Sequence, residues 1–155
     1  MKTVQINPVF FRFESDFVST MKCIPMIVRY KLDSCGVKLK LNEWVKFTLE
    51  DKETLAFLPC FTKQEIEQYG TYVCSLVQKY FGINASLLSQ VEDSWNELHE
   101  VPAEVRQKAC EYHCAEISVK NWINMHTLQR FALVKLSRSG HEGKNFPLAV
   151  KEFLS

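Results

Sequence analysis

The stretch TKQEIEQYGTYVCSLVQKYFG, Thr62 to Gly82, decides how this chain is read. Thr62 followed three positions later by Glu65 is a capping box, in which the hydroxyl takes an orphan N–H and the glutamate reaches back to the cap. Ile66, Tyr69, Val73, Leu76, Val77 and Tyr80 then fall on one face at helical spacing, and Gly82 supplies a left-handed stop. Gly70 lowers the intrinsic propensity without breaking the pattern. A helix with such an apolar stripe is stable only against other apolar faces, so the flanking sequence is searched for them.

Upstream, Thr48 and Asp51 have capping-box spacing for a helix ending near Pro59, and Trp44 and Phe47 fit a short helical turn before it. Val37-Lys38-Leu39-Lys40-Leu41 alternates as an extended segment would. From Phe17 the apolar positions recur at helical spacing, Pro25 opens or kinks a helix, and Gly36 stops it. The first dozen residues, which end in Val9-Phe10-Phe11-Arg12-Phe13, read as an extended arm laid on the core. Downstream, Leu87, Leu88, Val91, Trp95 and Leu98 form another helical stripe, and Pro102 opens a helix running to about Cys114. Ser118 caps a last long helix whose apolar residues, Trp122 to Leu136, cover nearly its whole circumference, the mark of a buried central helix. Ser139 to Lys144 reads as an exposed loop and Phe146 to Leu154 as a closing helix. The predicted fold is mainly all-α, a compact multi-helix single domain over residues 1–155 with an extended N-terminal arm.

Composition agrees with a globular chain: 46% of its 155 residues are hydrophobic and 24% charged. The 19 basic and 18 acidic residues nearly cancel to +1, so no global field exists to hold nucleic acid or an anionic membrane. Met1-Lys2-Thr3-Val4-Gln5 lacks the apolar run of a signal peptide, and no stretch reaches bilayer-spanning length, so a cytoplasmic location is expected. The cysteines at 23, 35, 60, 74, 110 and 114 are expected as reduced thiols in a chain large enough not to need a disulfide framework.

No Walker, dinucleotide-binding, HExxH, GxSxG or EF-hand string occurs, so no catalytic residue is assigned. Cys110, His113 and Cys114 carry helical spacing that would put both sulfurs on one face, yet a structural zinc needs four donors, and a small buried hydrophobe is the ordinary role of such cysteines. Arg130 falls in the apolar sector of the last helix with His126 one turn back; it is expected either in a salt bridge to Asp16, Asp33 or Glu14, or as an anchor for an anionic ligand. Arg29, Lys31, Lys38, Lys40 and Lys46, interleaved with Tyr30 and Trp44, form a local basic run suited to an acidic protein surface or a phosphate-bearing ligand, or simply a solvated face.

The string Cys23-Ile24-Pro25-Met26-Ile27-Val28-Arg29-Tyr30-Lys31-Leu32-Asp33, with Phe13 to Phe17 before it and Gly36-Val37-Lys38-Leu39 and Trp44 after it, resembles the nitrate reductase-associated protein family of bacteria. Trp122 to Leu136, with Arg130 and Lys135, is similar to that family's second block. The resemblance implies an accessory or maturation factor of assimilatory nitrate reductase or of the molybdenum-cofactor machinery, in a family with no assigned active site; no cofactor is expected in the purified protein beyond transient contact with molybdenum cofactor during its insertion. It makes Cys23, Pro25, Met26, Arg29, Lys31, Asp33, Gly36, Arg130 and Lys135 the motif residues. Two rival readings stand beside it: a metal- or cluster-handling protein using Cys110, His113 and Cys114, and a small enzyme on an anionic substrate with Arg130 as anchor and His126 as acid or base.

Overall fold

A computed structural model describes residues 10–90, 92–139 and 143–154. Among them the fold is mainly α-helical, with eight α-helices and one small antiparallel strand pair. The described residues divide into two compact units, one of Phe10 and Glu14–Glu92, the other of Phe11–Phe13 and Asp93–Leu154.

The first unit contains α1 (Met26–Cys35), β1 (Val37–Lys38), α2 (Leu41–Trp44), α3 (Leu49–Phe57), α4 (Lys63–Phe81) and β2 (Ser86–Leu87). Helix α4 is built as its sequence requires: Thr62 Oγ1 accepts the Glu65 N–H at 3.1 Å, and Glu65 Oε1 accepts the Thr62 N–H at 3.0 Å. Its stripe of Tyr69, Val73, Leu76 and Val77 is buried, and Gly82 takes φ 67°. Helix α1 packs on α3 and α4. A Cβ added at Gly70 of α4 would lie 3.4 Å from the Cys35 Cβ of α1, an ordinary contact distance. Gly70→Ala is therefore expected to fit and to raise stability by about 0.5–1 kcal/mol through the better helix former, while Gly70→Leu collides with Cys35. Urea titration of the two variants checks this.

Helix α3 ends at Phe57 without a glycine, its cap Leu58 being extended ahead of Pro59. The carbonyls left over are met by two side chains from other helices. Tyr69 Oη donates to Leu55 O at 2.7 Å, and Lys31 Nζ donates to Ala56 O at 2.8 Å and Leu58 O at 2.7 Å. Tyr69 is fully buried and Lys31 is 3% exposed, so these bonds are shielded from water.

In the second unit, α7 (Thr127–Arg138) is the buried central helix, with Phe131, Ala132, Leu133, Val134 and Leu136 fully inaccessible. It packs against α5 (Ala103–Glu111), α8 (Asn145–Leu154) and a 3-10 turn at Ser94–Asn96, where Trp95 meets the Phe131 ring edge-on at 4.8 Å. Arg138 forms a two-pronged pair with Glu104, Nε to Oε2 at 3.0 Å and Nη2 to Oε1 at 2.9 Å. No helix among the described residues is long and apolar enough to cross a membrane.

Four expectations are corrected. The helix predicted from Phe17 is a series of turns closed by Met21 at φ 55°, and a regular helix opens only at Met26, with Pro25 at its cap. The extended arm falls mostly outside the described residues, and Arg12–Glu14 forms one 3-10 turn. The stripe beginning at Leu87 is no helix: Ser86–Leu87 pairs with Val37–Lys38, and Val91 lies outside the described residues. A strand partner fifty residues away in sequence leaves no trace in local periodicity.

The last long helix is two. Ser118 does cap α6 (Val119–Asn124), its Oγ accepting the Asn121 N–H at 3.0 Å, but Met125 and His126 are extended and α7 starts afresh. The Gln129 side chain accepts the His126 N–H at 2.8 Å, capping the new helix. Ile123, predicted to be buried, is 48% exposed as a result. Residues 140–142 of the predicted loop lie outside the described residues, and α8 begins one residue before the expected closing helix.

Candidate functional site

The residues of interest in the first unit are organised by Trp44. Its indole Nε1 donates to Met21 O at 2.7 Å, its ring packs on Phe47, and the Lys52 ammonium sits 5.5 Å from the ring centroid. Glu43 is buried beside it, its Oε1 accepting the Lys40 N–H at 2.8 Å. With Glu43, Trp44 and Phe47 turned inward, their neighbours must turn outward. Leu41 is 53% exposed, Val45 50% and Leu49 48%. Lys38, Lys40 and Lys46 are exposed beside them in the chain, and no ion pair occupies their ammonium groups among the described residues. Three aliphatic side chains in water beside three unpaired cations form a surface suited to association rather than to chemistry.

This surface is smaller than the basic run predicted. Lys31 is removed from it altogether, buried and spent on the carbonyls at the end of α3. Burial is the main reason its pKa falls to about 8, with Cys60 and Glu65 acting in the opposite sense. Trp44 is fully buried and lines no exposed face. Arg29 is half-buried, with Nε donating to Ile24 O at 2.9 Å, so it braces the turn before its own helix.

The conspicuous Cys-Ile-Pro-Met string proves to be the start of α1. Pro25, at the cap, has no side chain that can cap, and the Met26 N–H is met instead by Glu14 Oε2 at 2.8 Å. Glu14, 1% exposed, was legible only as a possible partner for Arg130; a proline-capped helix entry with no Ser, Thr, Asp or Asn was the available signal that an acceptor had to come from elsewhere. Gly36 closes α1 at φ 74°, bonded back to Asp33 O and Leu32 O, and Cys23 is half-buried. These motif residues build a helix and its ends.

In the second unit, Arg130 is 7% exposed and its fork is turned onto main-chain oxygens. Nε donates to Trp95 O at 2.6 Å; Nη1 donates to Met125 O, and to Trp122 O at 3.4 Å; Nη2 reaches Thr127 Oγ1 at 3.3 Å. The break between α6 and α7 leaves Trp122 O with the Met125 N–H and Met125 O outside either helix, and Arg130 donates to both. That use of the guanidinium is structural, which weakens its reading as a substrate anchor. His126 is exposed at the cap of α7, at the break rather than one turn back along a continuous helix. Lys135 is half-buried with its ammonium 5.5 Å from the Phe131 ring centroid.

The six cysteines are free thiols. Helix α5 ends at Glu111, and His113 adopts φ 56°, so Cys114 leaves the helix and does not share a face with Cys110. No group of three His, Cys, Asp or Glu side chains placed to hold a metal ion occurs among the described residues. Cys60, by contrast, is buried against Lys31, its thiol within 3.7 Å of Lys31 O and pushed up to about 12 mainly by burial.

The family model of the conserved nitrate reductase-associated proteins matches residues 10–153. The chain belongs to that family. The match takes in both motif blocks and everything between them, so it covers the α1 entry, the Lys38 to Leu49 surface and the Arg130 clamp together. Comparison with curated proteins and with solved structures gives no match. Among nitrate reductase-associated proteins, then, this chain offers an exposed lysine and aliphatic surface, and its most conspicuous internal charges serve the fold.

Proposed function

We propose that this protein is a non-enzymatic accessory factor of assimilatory nitrate reductase, acting in the cytoplasm by protein contact while the molybdenum cofactor is inserted. The observation that carries the reading is the surface of Lys38, Lys40 and Lys46 with Leu41, Val45 and Leu49, held outward by the buried Trp44. A surface of this kind accelerates and orients association through charge and gains affinity from the apolar residues at its centre. The family description supports the choice of partner. The buried arginine and the separated cysteines favour neither the small-enzyme nor the metal-handling alternative.

The test is co-purification of the tagged protein with nitrate reductase lacking its cofactor, together with nitrate reductase activity in a strain without this gene. A complex, and lower activity in that strain, are expected. Unchanged activity and no complex would remove the proposal.

A further inference from the structure

The surface around α2 has a chemistry that specifies what it takes. Exposed aliphatic residues at 41, 45 and 49 recur every fourth position, interleaved with lysines at 38, 40 and 46 that have no ion pair among the described residues. The one acidic residue within that run, Glu43, is buried and engaged with the Lys40 N–H.

We propose that this face binds an acidic, amphipathic protein segment, with aliphatic side chains against Leu41, Val45 and Leu49 and carboxylates on Lys38, Lys40 and Lys46. The inference rests on the reading that the face meets a protein partner, and it names that partner's chemistry. Charge complementarity selects an acidic occupant, and a peptide is favoured over an anionic membrane. The helix at its centre spans only Leu41–Trp44, and its sole aromatic residue is buried, so the face lacks the broad apolar side and interfacial aromatics of a membrane-binding helix.

The experiment is fluorescence anisotropy of the full chain with a labelled helical peptide that carries leucine along one face and glutamate along the other. A peptide with lysine in place of glutamate serves as control. Binding to the acidic peptide only, weakened by salt, is expected. Lys38→Glu/Lys40→Glu/Lys46→Glu should lower affinity about tenfold or more, since three attractive charge pairs become repulsive. Leu41→Ser/Val45→Ser should weaken binding without removing its salt dependence. All these positions are exposed, so circular dichroism should stay unchanged.

No binding of the acidic peptide, equal binding of both peptides, or binding of phosphatidylserine vesicles in preference to the peptide overturns the inference. Peptide binding without a nitrate reductase complex supports it and removes only the choice of partner. A nitrate reductase complex that the triple lysine variant forms with unchanged affinity keeps the partner and overturns this site.

Discussion

Arg130→Ala is expected to lower the stability of the chain by about 4 kcal/mol, with the loss falling on the second unit. The guanidinium donates to three main-chain carbonyls and a hydroxyl, and its removal leaves Trp95 O and Met125 O without that donor, while Trp122 O keeps the Met125 N–H. Charge-assisted bonds contribute about 1.5–3 kcal/mol each, and an orphaned buried acceptor costs about 1–3 kcal/mol, so even strong overlap between these effects leaves a large loss. Arg130→Lys should recover little of it, because one ammonium cannot span Trp95, Trp122 and Met125 as the planar fork does. Hydrogen exchange should locate the loss in α6, α7 and the turn at Ser94–Asn96. Full stability with loss of anion binding would restore the arginine to a ligand site.

The second large effect concerns Lys31. Lys31→Met should cost about 2–3 kcal/mol near neutral pH, because Ala56 O and Leu58 O lose their donors at the end of α3. The pH dependence gives a sharper signature. The folded-state pKa of Lys31 is depressed from 10.5 to about 8, so between those values the unfolded chain binds more protons than the folded one. Stability from this group is complete above about pH 10.5 and is lost as pH falls through 8, a swing of at most about 3 kcal/mol. The neutral amine still has two hydrogens for its two carbonyls, so deprotonation does not undo the cap.

Cys60 opposes this trend at the alkaline end. Its folded-state pKa is raised from 9.0 to about 12, so its contribution is complete below pH 9 and is lost as pH rises towards 12. Wild-type stability should thus climb from pH 8 to 9, hold level to about pH 10.5 and fall above it. The difference between wild type and Lys31→Met, taken from urea unfolding at each pH, should widen steadily to about pH 10.5. A difference independent of pH would show that Lys31 is not desolvated as the structure has it.

Much of the first unit was readable from local rules. Thr48 and Thr62 start their helices and Gly36 and Gly82 stop theirs, because capping and left-handed backbone depend on residues within one turn. The second unit was less readable. The break at Met125 and His126 carries neither glycine nor proline, and the sequence on both sides is helical in pattern. Only the Gln129 cap and the distant Trp95 carbonyl that Arg130 engages reveal why two helices form.

The same distinction divides the candidate site. Lys38, Lys40 and Lys46 were identified from sequence and remain on the surface, but Lys31 and Trp44, equally prominent in that run, are buried. Charge and spacing specify which residues a run contains; they do not specify which of them α3 will need as a carbonyl cap or which the core will enclose. By itself the sequence determined the helical class, the helix ends marked by Thr48, Thr62, Gly36 and Gly82, and the family, since each rests on neighbouring residues or on a pattern along the chain. The tertiary structure alone decided which charges face water, because that depends on carbonyls and rings brought from far away in the chain.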